Sequence, residues 1–84
     1  MQTIDDALAC KFTFRIRTDI HGAETFEEAR HLFNNLRDES NEGASTWPSP
    51  PLYRDGKIIG WFSYNGRVWE HKNWTPETLE IKEA

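Results

Sequence analysis

The candidates in this sequence for metal ligation or nucleophilic attack are Cys10, His21, His31 and His71. A metal site needs two to four ligands at helical, hairpin or knuckle spacing, and these four follow none of those intervals. Cys10 with His71 as its base is the available nucleophile–base pairing. A small apolar side chain beside a core strand is the simpler reading of Cys10, and the one adopted. Glu70 and His71 are neighbours on an expected strand and point to opposite faces, so they cannot act on one substrate atom. Gly56, Gly60 and Gly66 sit in turns and a strand and build no phosphate-binding loop. A chain of 84 residues also leaves little room for the concave, water-excluding pocket that catalysis uses. The expectation is a non-enzymatic protein with no metal and no cofactor.

Binding is the other chemistry on offer, and its centre is Trp61. If Ile59 and Val68 flank it and Arg15, Arg17, Arg54, Lys57 and Lys72 ring it, the pattern is an apolar centre with a charged rim, as protein interfaces have. A small protein also cannot hide every aromatic, and long Lys and Arg stems lying over Trp61 account for the same pattern with no partner at all. The same ring suits single-stranded nucleic acid, with a base stacked on Trp61 and phosphates on the cations.

Whether those residues meet depends on the stretch from Pro51 to Lys72. Asp55-Gly56 and Asn65-Gly66 are the dipeptides of two-residue type I′ turns, whose central positions both need φ > 0. With β-branched and aromatic residues on either side, they predict an antiparallel meander of strands near 51–54, 57–64 and 67–72. Two-residue loops set Tyr53 opposite Ile58, Leu52 opposite Ile59, Phe62 opposite Trp69 and Trp61 opposite Glu70. One face then carries Pro51, Tyr53, Ile58, Gly60, Phe62, Tyr64, Arg67, Trp69 and His71, and being more aromatic it is assigned to the core. The other carries Leu52, Arg54, Lys57, Ile59, Trp61, Ser63, Val68, Glu70 and Lys72. A slip of one residue in either hairpin exchanges the faces.

Upstream, Lys11 to Thr18 alternates: Phe12, Phe14 and Ile16 on one side, Lys11, Thr13, Arg15 and Arg17 on the other. That is a half-buried strand. His21-Gly22 reads as loop. Thr25-Phe26-Glu27-Glu28 is a capping box, and Phe26, Ala29, Leu32, Phe33 and Leu36 recur at helical spacing, which predicts a helix over 26–39. Asn41-Glu42-Gly43 offers left-handed positions to end it. Residues 40–51 hold three prolines and no periodicity, with Trp47 as a plug over one end of the core. Thr3 and Asp6 can cap a short helix through Ala9. Thr75-Pro76-Glu77 can start another at the far end, although Leu79 and Ile81 also alternate like an edge strand.

The fold class is therefore α+β: β-α-β-β-β, a three-stranded meander joined by strand 11–18, one main helix on one sheet face, and short helices at the termini. Residues 1–84 form a single domain. So short a chain buries only about 60% of its unfolded surface. The aromatics offset this, seven of them (Trp47, Tyr53, Trp61, Phe62, Tyr64, Trp69, Trp74) between 47 and 74, where the core is expected to be densest.

The order helix, meander, terminal helix is similar to that of double-stranded-RNA-binding domains, whose last helix opens on phosphate-holding lysines. Here Thr75-Pro76-Glu77 stands in that place. The aromatic strand consensus of RNA recognition motifs is also absent.

Residues 1–42 hold five Lys/Arg against nine Asp/Glu, and residues 43–84 five of each. The helix side, carrying Glu24, Glu27, Glu28, Asp38 and Glu39, is expected to be acidic, while the outer sheet face is basic. The single Cys10 excludes a disulfide scaffold, and no apolar run approaches the roughly 18 residues of a membrane span. A reducing, cytoplasmic setting is expected. The Asn73-Trp74-Thr75 sequon, followed by Pro76, is taken as a chance match. The expected function is a protein–protein interaction module, with a homodimer through the Trp61 face as one form and single-stranded nucleic-acid binding as the alternative.

Overall fold

A computed structural model describes residues 9–73 and 75–83. The short helix expected near Thr3, and Trp74, fall among the residues outside that description. The elements are β1 (Phe12–Ile16), β2 (Asp19–Ala23), α1 (Phe26–Ser40), β3 (Pro51–Arg54), β4 (Lys57–Phe62), β5 (Val68–Trp69) and β6 (Glu80–Ile81). They build one antiparallel sheet in the order β2-β1-β3-β4-β5-β6, with α1 packed on one face.

Local chemistry explains α1. Thr25, in extended backbone (φ −127°), accepts from the Glu28 amide at 3.1 Å, and Asn41 closes the far end in the left-handed conformation (φ 58°). Glu28 reaches back one residue further than expected, to the amide of Glu24. The buried stripe is Phe26, Ala29 and Phe33, and β1 meets it with Phe12, Phe14 and Ile16. All five phenylalanines of the chain are buried. Phe33 and Phe62 stack across the helix–sheet interface with centroids 4.3 Å apart, and Phe14 packs edge-on to both. The core is thus a phenylalanine cluster drawn from the whole chain, not the aromatic-dense segment 47–74. Phenylalanine has no polar atom to satisfy, whereas Trp and Tyr carry a donor that is easier to hydrogen-bond at the surface. Trp47 is the exception: it caps the cluster against Phe33 as expected, with its indole N–H buried and without a hydrogen-bond partner among the described residues.

Three departures from the sequence reading decide where the surface lies. First, the His21-Gly22 segment is not loop but part of β2, which pairs with β1 along its full length after a two-residue reversal at Arg17-Thr18. Arg17 takes φ 55° to make that reversal. The architecture is consequently β-β-α-β-β-β-β. Second, the Asp55-Gly56 turn is as expected, both residues at positive φ and Arg54 facing Lys57. The ladder then jumps, because Tyr53 pairs with Ile58 but Leu52 pairs with Gly60. Ile59 is the extra residue of a β-bulge on β4.

Third, Asn65-Gly66 does not make a two-residue loop. Ser63 receives Gly66 N–H and itself donates to Arg67, so three residues, Tyr64, Asn65 and Gly66, form a turn that ends on Gly66 at φ 83°. Phe62 faces Val68 and Trp61 faces Trp69. At the C-terminal end, residues 75–78 form only a single turn, with Thr78 N–H on the Thr75 carbonyl, and Glu80–Ile81 pairs with β5 as an edge strand.

Candidate functional site

The bulge and the longer loop together re-sort the two faces. Leu52 and Val68, expected outside, are fully buried at 0% exposure. Tyr53, Ile58 and Trp69, expected inside, lie on the outer face with Trp61. The register shows why. Tyr53 is opposite Thr13 and Ile58, Trp61 is opposite Trp69, and Trp69 is opposite Glu80; directly opposed residues share a face. Gly60 and Phe62 stay in the core as assigned. Of the expected site residues, Val68 is therefore lost to the core, and Ile59, raised by the bulge, is half-buried and packs on the core.

The cations divide in the same way. Arg54 and Lys57 follow Leu52 to the helix side, where the Arg54 guanidinium lies over the Phe12 ring at 5.8 Å and within 4.0 Å of Asp55. Arg17 pairs with Glu42 at 2.5 Å and covers the Trp47 ring at 5.6 Å. Arg15 is exposed on the outer face, opposite Ile20. Among the described residues no carboxylate comes within ion-pair distance of Arg15 or Lys72.

A shallow cleft of about 270 Å³ lies beside the tryptophans, lined by Trp61, Trp69, Ser49, Asn65, His71 and Lys72 among others. Trp69 donates its indole N–H to the Ser63 hydroxyl at 3.1 Å, which fixes the ring against the β4–β5 loop. That loop is in turn gripped by α1. Arg30 donates to the Gly66 carbonyl at 3.1 Å, and Arg37 donates to both Asn34 Oδ1 and the Tyr64 carbonyl. The helix that buries Phe33 on one side thus holds the Trp69 hairpin with the other.

The residues read first for catalysis do not assemble. Cys10 is half-buried at the foot of β1 and lines a separate hollow with Lys11, Glu24 and Asp55. His21 stacks on Phe14 at 5.5 Å, and burial holds its pKa below the ordinary 6.5 despite Asp19 nearby. His31 is on the exposed helix flank beside Glu27. Glu70 and His71 do meet, at 3.4 Å, because β5 ends at Trp69 and strand alternation no longer separates them. Among the described residues no three His, Cys, Asp or Glu side chains gather closely enough to share a metal ion, and no helix is long and apolar enough to cross a membrane.

Sequence reasoning missed Trp69, Tyr53 and Ile58 as surface residues. One signal pointed to them: a glycine inside a strand pattern, here Gly60, often marks a bulge. No family model, curated protein or solved structure matches the chain.

Proposed function

We propose that this chain is a non-enzymatic interaction module that docks a polypeptide on its outer sheet face, with Trp61 and Trp69 as the paired anchor. The observation that carries the reading is their direct opposition on a face that no helix or strand of the described residues covers. Around them lie Pro51, Tyr53 and Ile58, the last 47% exposed, and beyond these Arg15, Lys72 and Glu80. Aromatic anchors amid aliphatic contacts, with charge at the margin, is how protein interfaces are built.

The first partner to test is a second copy of the chain, packed sheet to sheet. Sedimentation equilibrium at low and high protein concentration reads it directly. Self-association that disappears in Trp61→Ala, with the fold retained, supports the proposal. Association indifferent to both Trp61→Ala and Trp69→Ala removes it.

A second reading is favoured by the same opposition. Stacking platforms for single-stranded nucleic acid present two or three aromatics beside cations, and Tyr53, Trp61 and Trp69 share this face with Arg15 and Lys72. The net charge of −4 works against a polyanion. Titration with a labelled oligonucleotide at two salt concentrations decides, since such binding weakens steeply as salt rises.

A further inference from the structure

The sheet contains a second opening, between β1 and β3. These strands pair at Phe12–Arg54 and Thr13–Tyr53, and the Asp55 amide donates to the Lys11 carbonyl at 2.9 Å. By the alternation of the antiparallel ladder, the next hydrogen-bonded rung joins Arg15 to Pro51. Pro51 has no N–H to give, and Pro50 before it has none either. The pairing stops at Thr13. Past that point the strands part, and the opening is a groove of about 630 Å³.

The lining of that groove has a definite chemistry. Ile20 and Tyr53 supply apolar surface, and Pro48, Pro50 and Pro51 form one wall. Two arginines, Arg15 and Arg17, line it with no carboxylate, in a chain where Asp and Glu outnumber Lys and Arg by 14 to 10. Arg17 is engaged by Glu42 and Trp47. Arg15 is exposed, with no ion-pair partner among the described residues. A volume of this size lies in the range of small-molecule sites, roughly 300–1,000 Å³.

We propose that this groove binds a small amphipathic anion, its apolar body against Ile20, Tyr53 and the proline wall and its carboxylate on the Arg15 guanidinium. The groove adjoins the Trp61–Trp69 surface and shares Arg15, Pro51 and Tyr53 with it, but the proposal rests on the groove's own lining and not on the docking reading. Guanidinium and carboxylate form the short, charge-assisted pair that gives such a site its sign preference, and the prolines supply rigid apolar contact without competing donors.

The test uses decanoate and decylammonium, two probes of equal chain length and opposite charge, on the full chain, followed by amide chemical shifts in nuclear magnetic resonance. Decanoate is expected to shift the amides of Arg15, Ile20 and Tyr53 saturably, and decylammonium to bind at least about tenfold more weakly. Arg15→Gln, an exposed position that the core does not need, is expected to raise the decanoate Kd about tenfold and to abolish the difference between the probes. Equal binding of both probes by the unmodified chain overturns the proposal, as does the absence of saturable shifts. Shifts centred on Trp61 and Trp69 with a Kd unmoved by Arg15→Gln overturn it too.

Discussion

Single residues on β4 have opposite fates one position apart. Phe62 is buried at 2% exposure and stacked on Phe33, so Phe62→Ala is expected to cost about 3–5 kcal/mol in denaturant unfolding. Trp61 is only half-buried, and Trp61→Ala is expected to cost clearly less in the same measurement, as is Trp69→Ala. His21 contributes to the response to mild acid. Burial keeps its folded pKa below 6.5, so as pH falls past that value the unfolded chain takes up a proton that the folded histidine resists. Stability is complete above the unfolded value and declines as pH drops through the window down to the folded one. Urea melts from about pH 7.5 to about pH 5.5 are expected to show this loss in the native chain and a flatter profile in His21→Gln. His31→Gln, on the exposed helix flank, serves as the control.

Among the elements, α1, β1 and the Asp55-Gly56 turn were legible because each is specified by its own residues: a cap at Thr25, strict alternation from Phe12, and a dipeptide that tolerates positive φ twice. The β4–β5 hairpin was not, because Asn65-Gly66 satisfies two loop geometries, and the three-residue one is held both locally, with Asn65 Oδ1 accepting from the Arg67 amide at 3.2 Å, and from α1. Arg30 and Arg37, on α1, fasten the three-residue form through the Gly66 and Tyr64 carbonyls, with Asn34 accepting from Arg37 alongside. Nothing local to Asn65 announces that grip. Gly66 carries the consequence: a Cβ there would collide with the Asn34 side chain, at a φ of 83° that other residues rarely adopt. Gly66→Ala is expected to lower stability by at least about 1 kcal/mol in thermal or urea unfolding, with the loss concentrated in this hairpin. β2 was illegible for a different reason. Asp19–Ala23 (DIHGA) has no strand pattern of its own, and it is held extended by a five-residue ladder to β1.

For the whole molecule, one helix on one sheet gives a slab of 37 × 28 × 19 Å with a single protected side. The polar split foreseen from charge holds in part. Glu27, Glu28, Asp38 and Glu39 are exposed on α1, whereas the outer face keeps Arg15 and Lys72 but loses Arg54 and Lys57 to the helix side. At this scale the expected observable is concentration-dependent mass. If the tryptophan face self-associates, Trp61→Ala is expected to shift the midpoint at least about thirtyfold, the loss of a 2 kcal/mol anchor.

The missing rung at Pro51 also says what kind of visitor the opening beside it will turn away. A sheet interrupted in mid-span has, in effect, an internal border, and bare strand borders invite other chains to zip on and propagate. Here one side of the gap is walled by prolines that offer no amide hydrogen, so an incoming strand could be stitched along one flank only. A strand seeking a full ladder there would meet acceptors but no donors on the proline side, which disfavours zipping on at this point.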